Sequence, residues 1–377
     1  MQVAVPRLLV AGLRGGGGKT LLSLGLAASF RFRGQIVAPF KKGPDYIDAA
    51  WLTRAAQRPC RNLDLFLFDS SVALRSFQAN SADADLAIIE GNRGLFDGMD
   101  PEGSFSSAEL AKLLKAPVLL SVDVTKTTRT AAAQVLGCQT LDPEVPLAGV
   151  VLNRVAGARH EAILRETIEG ICGIPVLGAI PRLRRDPFPE RHLGLVPPQE
   201  TEEADNPIET VRDVAEKYLD LEGIQSLARE ASSSPLPPER NRGKVHVHLG
   251  NGPKEPSQAE APENRQVRIG VFRDSAFQFY YPENLEGLAE SGGTLLEVSP
   301  LEDSTLPEVD ALYLGGGFPE TLAPGLSGNV PFMKSLQEAA LAGLPIYAEC
   351  GGAVYLGEAL HYEGNRFQMA GVLPVQY

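Results

Sequence analysis

Residues 12–20, GLRGGGGKT, lie between an apolar run, RLLVAG at 7–12, and an apolar-periodic stretch that begins at residue 19. Few folds use four consecutive glycines in that position. Without Cβ atoms the backbone can curl so that successive N–H groups point inward and make a concave anion site. The helix that follows aims its N-terminus at the same point. The segment reads as a phosphate loop for a nucleotide such as ATP. Gly15, Gly16, Gly17 and Gly18 wrap the phosphates, Lys19 reaches the outer ones, and Thr20 offers a hydroxyl to Mg²⁺. The usual spacing, GxxxxGK[ST], puts glycine where this chain has Leu13, with Gly12 one place earlier. The competing reading is a flexible glycine turn, against which the strand before and the helix after both weigh.

Further short apolar runs, at 84–89, 116–122, 147–152 and 175–180, are continuous rather than alternating. That pattern suits strands buried on both faces of a parallel sheet. Helical periodicity over 19–32, 106–114, 127–137 and 159–169 separates them, so residues 1–231 read as a doubly wound α/β domain. Ligands of such sheets bind at the carboxyl ends of the strands. Two polar segments fall there: KKGPDYID at 41–48, after VAPF, and EGNRGLFDGMD at 90–100, after ADLAII. Asp45 and Glu90 are candidates to complete a Mg²⁺ shell with Thr20. Singly, each carboxylate reads as an ordinary surface charge.

Residues 232–265 are dense in Pro, Ser, Gly and charge and read as a flexible linker; the HVH at 246–248 within it reads as solvated rather than metal-binding. A second α/β run starts at 266. Strands are predicted over 267–272, 293–298, 309–314 and 344–348, and helices over 282–291 and 330–342. PIYAECGG at 345–352 puts Cys350 on a sharp strand-to-helix turn, with a helix expected through AVYLGEAL. A nucleophile there stands exposed at a sheet edge. YLGGGFPE at 313–320 could supply oxyanion-stabilising N–H groups. The bland reading of Cys350 is a buried structural cysteine, and Cys60, Cys138 and Cys172 are read that way.

The formal net charge of −12 argues against a nucleic-acid-binding protein. The N-terminus lacks the order of a signal peptide, and no apolar run approaches a membrane span, so no membrane association and a cytoplasmic location are expected.

These segments together resemble the cobyrinic acid a,c-diamide synthase family. The resemblance runs through both domains, on GLRGGGGKT, PFKKGPDYIDAAWLTRAAQRPCRNLDLFLF, IIEGNRGLFDGMD, IPVLGAIPR, PERHLGLVPPQE, RDSAFQFYYPENLEGL, SPLEDSTLP, LYLGGGFPE and YAECGGAVYL. It implies a phosphate-loop ligase domain over 1–231 and a class I glutamine amidotransferase-like α/β domain over 266–377. The implied activity is ATP- and Mg²⁺-dependent amidation of tetrapyrrole carboxylates through an acyl phosphate, with ammonia from glutamine. Related branches act on cobyrinic, hydrogenobyrinic or sirohydrochlorin-type macrocycles, and the motifs do not separate them. By position, Asp45, Tyr46 and Asp48 handle the substrate or its intermediate, Asn153 reads adenine, and Cys350 is the glutaminase nucleophile. A homodimer is left open. The family's catalytic histidine lies downstream of GVLP, whereas GVLPVQY closes this sequence. The expectation is a C-terminally incomplete second domain. The alternatives are an ammonia-dependent ligase with an inactive glutaminase domain, or a partition-type nucleotide switch.

Overall fold

The long apolar runs of the first half assemble edge to edge because each is apolar on both faces. In the computed structural model, which describes residues 5–183, 188, 190–191, 194–198, 206–231, 236 and 266–377, the chain divides into two units, Met1–Asn241 and Arg242–Tyr377. Nearly all of the expected linker, including HVH, lies outside the described residues.

The first unit alternates β1 (Arg7–Gly12), α1 (Lys19–Phe32), β2 (Val37–Lys42), α2 (Ile47–Ala56), β3 (Arg61–Leu63), α3 (Ser70–Ser81), β4 (Leu86–Glu90), α4 (Ser107–Leu114) and β5 (Val118–Asp123). It continues through α5 (Arg129–Leu141), β6 (Leu147–Val155), α6 (Ala158–Cys172) and β7 (Val176–Pro181) to a short antiparallel pair, β8 (Glu190–Arg191) and β9 (Gly194–Leu195). Helices α7 (Pro207–Tyr218) and α8 (Leu221–Glu230) close it. The seven parallel strands run in the order β3-β2-β4-β1-β5-β6-β7. Every residue of β1 and β4 is buried. Helix α7 lies so close to α1 that a Cβ on Gly25 would meet the Val211 carbonyl at 2.8 Å. The sequence patterns did not predict α2, β3, α3, α7 or α8.

The second unit has a four-stranded parallel sheet, order β11-β10-β12-β13. Its elements are β10 (Val267–Phe272), α9 (Pro282–Glu290), β11 (Gly293–Val298), β12 (Ala311–Leu314), α10 (Ala323–Gly328), α11 (Val330–Leu341) and β13 (Ile346–Ala348). Helix α12 (Gly351–Leu356) and a hairpin, β14 (Ala359–Tyr362) and β15 (Asn365–Gln368), follow. The core gathers Phe277, Phe332 and Tyr355 edge-on around Phe272, with Phe277 and Tyr355 tilted against each other. The helix expected through AVYLGEAL ends early, at Leu356. Gly357 leaves it in extended backbone, and a Cβ there would meet the Val375 carbonyl at 2.8 Å. Among the described residues no helix is long and apolar enough to cross a membrane.

Candidate active site

The glycine loop joins β1 to α1 at the carboxyl edge of the first sheet. Gly16 and Gly18 take left-handed φ values of +67° and +90°, which glycine alone adopts freely. Gly18 has a second constraint, since a Cβ on it would stand 2.2 Å from Asn153 Nδ2. The loop is braced from two strands: Ser121 Oγ donates to the Gly17 carbonyl at 2.8 Å, and Asn153 Nδ2 donates to the same oxygen at 3.2 Å. Asn153 is thereby committed by one donor to the loop itself, although it also lines the adjoining cavity. Lys19 is buried, and its Nζ donates to the Arg14 carbonyl at 3.1 Å. Burial lowers its pKa, with Glu90 pulling the other way. A cavity of about 570 Å³ opens beside Gly16, Gly18, Lys19, Thr20 and Asn153. Exposed Arg14 and Arg154 both contact Asp123 Oδ2, at 3.1 and 2.9 Å, tying the loop to the ends of β5 and β6. Burial works against the Asp123 carboxylate, but the hydroxyl and N–H of Thr125 and the two arginines outweigh it and hold its pKa at about 2.

At the next strand ends the centre is a residue to which the sequence reading assigned no role. Lys41, the penultimate residue of β2, is 1% exposed. Its Nζ lies 2.5 Å from Asp48 Oδ2, 2.9 Å from Glu90 Oε1 and 3.9 Å from Asp45 Oδ2. Thr20 Oγ1 donates to that same Glu90 oxygen at 2.7 Å. Asp45, Asp48 and Glu90 are thus drawn onto one buried ammonium, and Thr20 joins them through Glu90. Burial opposes the Lys41 charge, but Glu90, Asp48 and Asp45 outweigh it and raise its pKa. Glu90, fully buried, is pushed up to about 7 by desolvation, against the pull of Lys41.

The turn before α2 explains why GPDYID and RNLD occur together. Gly43 turns the chain at φ +84°, and Asp45 Oδ1 accepts the Asp48 N–H of the first helical turn at 2.9 Å. Asn62 on β3 donates to the carbonyls of Gly43 and Asp45, at 2.7 and 2.9 Å. Tyr46 is half-buried at the start of α2. Trp51, fully buried on α2, donates to the Val196 carbonyl at 2.9 Å and meets Phe188 edge-on.

Glu90 Oε2 is buried without a hydrogen-bond partner. A bare carboxylate oxygen beside a threonine hydroxyl suits a hard cation. Among the described residues no three His, Cys, Asp or Glu side chains converge to hold a metal by themselves. A cation here would complete its shell with phosphate oxygens and water, which is the habit of Mg²⁺.

In the second unit Cys350 is exposed between β13 and α12, at φ +47° and ψ −115°. That is a strained conformation for a residue with a Cβ, and such strain gathers at functional positions. The surrounding glycines are required by space. A Cβ on Gly352 would lie 2.7 Å from the Leu314 carbonyl, and one on Gly351 would lie 3.1 Å from Gly317 N. A Cβ on Gly315 would lie 2.5 Å from the Tyr280 ring, and Tyr280 Oη accepts the Gly315 N–H at 2.7 Å while donating to the Phe272 carbonyl. The FYYPEN string therefore buttresses the GGG turn. Tyr313 Oη donates to Glu349 Oε1 at 2.7 Å, beside the cysteine. His361 stands exposed on β14, its Nε2 3.4 Å from Gln376 Oε1.

Comparison with known proteins agrees with this division. Residues 8–195 match the CobQ/CobB/MinD/ParA nucleotide binding domain, and residues 268–377 match the CobB/CobQ-like glutamine amidotransferase domain. Cobyrinate a,c-diamide synthase of Magnetococcus marinus is 45% identical over 100% of this chain and 78% of its own length. The enzyme of the same name from Archaeoglobus fulgidus is 41% identical over 100% of this chain and 78% of its own. That from Syntrophotalea carbinolica is 41% identical over 99% of this chain and 78% of its own.

Proposed function

The chain belongs to the cobyrinate a,c-diamide synthase family, and from its two sites we propose that it uses ATP to amidate the a and c side-chain carboxylates of a tetrapyrrole such as cobyrinic acid. The observation that carries this reading is the junction of phosphate loop and buried acid cluster, where Thr20 and Lys41 meet on one oxygen of Glu90.

A carboxylate is a poor electrophile until one oxygen becomes a leaving group. In the first step a substrate carboxylate oxygen bonds to the γ-phosphorus of ATP and the bond to the β-phosphate oxygen breaks, giving an acyl phosphate and ADP. In the second, ammonia attacks the acyl carbon, inorganic phosphate leaves, and the nitrogen gives up a proton. The loop amides and Lys19 hold the phosphates, and a pocket braced by Ser121 and Asn153 fixes their position. Mg²⁺, held by Thr20 and Glu90 with Asp45 nearby, would neutralise phosphate charge. Lys41 keeps Asp48 and Glu90 oriented. Asp45, Tyr46 and Asp48, at the turn entering α2, face the reacting carboxylate. Asn153 remains a candidate to contact the adenine through the part of its amide not bonded to Gly17.

The ammonia comes from glutamine. Cys350 Sγ attacks the side-chain amide carbon, the developing oxyanion takes N–H groups of Gly316, Gly317 and Gly351, and the thiol proton leaves with the departing ammonia as the thioester forms; water then releases glutamate. The test separates the two units. Cys350→Ala should lose glutamine-dependent amidation and keep amidation with ammonium salts, whereas Lys19→Ala should lose both. Ammonia-dependent product from Lys19→Ala would overturn the loop assignment.

A further inference from the structure

The carboxyl end of the first sheet also carries exposed apolar side chains that no internal packing accounts for. Strand β3 runs into DLFLFD. Buried Asp64 accepts the N–H groups of Phe66 and Leu67 through Oδ1, at 2.8 and 3.2 Å, and this turn leaves Phe66, Leu67 and Phe68 at 57, 51 and 46% exposure. The loop after β4 meets it, with Phe105 edge-on to Phe66 at a centroid distance of 5.7 Å. Phe105 is held at φ +61°, and the Met99 N–H donates to the neighbouring Ser104 carbonyl at 3.1 Å. Met99 itself is 64% exposed.

Strand order makes this shelf specific. β2 lies between β3 and β4, so apolar groups from the two flanking loops straddle the end of the strand that leads to Asp45 and Asp48. Cations stand at the same ends. Lys42 is half-buried on β2, and Arg93 is exposed on the β4 loop with no ion pair among the described residues. Asp64 attracts the Lys42 charge, and Arg93 is near enough to repel it. Two acids of that loop, Asp97 and Asp100, are taken up by the N–H groups of Gly94 and Ser104. A flat apolar body fringed with carboxylates matches both features. A second copy of the chain fits worse, since it would bring the same cations against these.

We propose that Phe66, Leu67, Phe68 and Met99 form the shelf on which the tetrapyrrole macrocycle lies, with Arg93 and Lys42 receiving peripheral carboxylates that are not being amidated. This rests on the function proposed above. It is tested by titrating the protein into cobyrinic acid without ATP and following the macrocycle's visible absorption, in the wild type, Phe66→Ser/Phe68→Ser and Arg93→Ala. Because all three side chains are exposed, thermal melts should coincide. The double variant should bind at least about tenfold more weakly. Arg93→Ala should bind more weakly with a shallower salt dependence. In both, KM for the tetrapyrrole should rise in step while KM for ATP stays put. Wild-type amidation accompanied by double-variant binding within about twofold of wild type overturns the shelf and leaves the function standing. The shelf is also overturned if the double substitution changes only the sedimenting mass. A wild type that neither binds nor amidates any tetrapyrrole overturns both.

Discussion

Replacing Lys41 by Met removes the counter-charge of a fully buried carboxylate. Lys41 is 1% and Glu90 0% exposed, and their charged atoms lie 2.9 Å apart. Breaking a buried pair from one side costs about 3–5 kcal/mol, because the remaining charge keeps its desolvation penalty. Glu90 has an escape: desolvation already pushes it up to about 7, and without Lys41 it rises further, so it takes a proton instead. A carboxyl raised in the folded state contributes stability that is present at low pH and lost as pH climbs through its folded pKa. The deficit of Lys41→Met should therefore grow with pH, by at most about 1.4 kcal/mol for a carboxyl at about 7, from about 1 kcal/mol near pH 6 to about 2.4 kcal/mol at pH 8. Trp51, the single tryptophan, is buried on α2 just past this cluster, so its fluorescence in a urea titration reads the first unit selectively. A double-mutant cycle with Glu90→Gln should return a coupling of at least about 2 kcal/mol. A cost under about 0.5 kcal/mol at pH 8, or no coupling, would mean that Lys41 is not what keeps Glu90 charged.

Gly18→Ala should abolish ATP binding and destabilise the first unit, since the added carbon meets Asn153 Nδ2 at 2.2 Å; calorimetric titration with ATP checks it, and Gly18→Ala/Asn153→Gly should recover part of the stability. Cys350→Gly should raise stability by about 1 kcal/mol in urea unfolding by relieving the φ +47° strain, while losing glutamine-dependent turnover; no gain would mean that the elbow stores no strain. Asp123→Asn should cost about 1–2 kcal/mol at pH 7. An acid depressed to about 2 stabilises above the ordinary aspartate range and loses that contribution as pH falls, so the cost should shrink on going from pH 5 to pH 2 in urea titrations.

The glycine loop between β1 and α1 was legible because glycines, lysine and threonine are contiguous, so local geometry alone sets their place. Cys350 was legible for the same reason, the flanking glycines being forced by contacts with Leu314 and Gly317. Lys41 was not. Beside Lys42 and ahead of a Gly-Pro turn it resembles a solvated charge, and only the strand order, which encloses β2 between β3 and β4, buries it. Asn62 escaped notice similarly, because its bonds to Gly43 and Asp45 cross from one strand to the next. The resemblance gave Asn153 an adenine-reading role, while the structure spends one of its donors on the Gly17 carbonyl. Helices α2 and α3 went unpredicted because each begins in a polar turn whose N-cap residue, Tyr46 or Asp69, makes no side-chain cap bond.

The most direct test of the central claim is to trap the activated carboxylate. With ATP, Mg²⁺, cobyrinic acid and hydroxylamine, but neither glutamine nor ammonia, the wild type and Cys350→Ala should give a tetrapyrrole hydroxamate with one ADP per acyl group, and Lys19→Ala none. ADP without hydroxamate, or AMP in place of ADP, would contradict an acyl phosphate formed at the junction of loop and acid cluster.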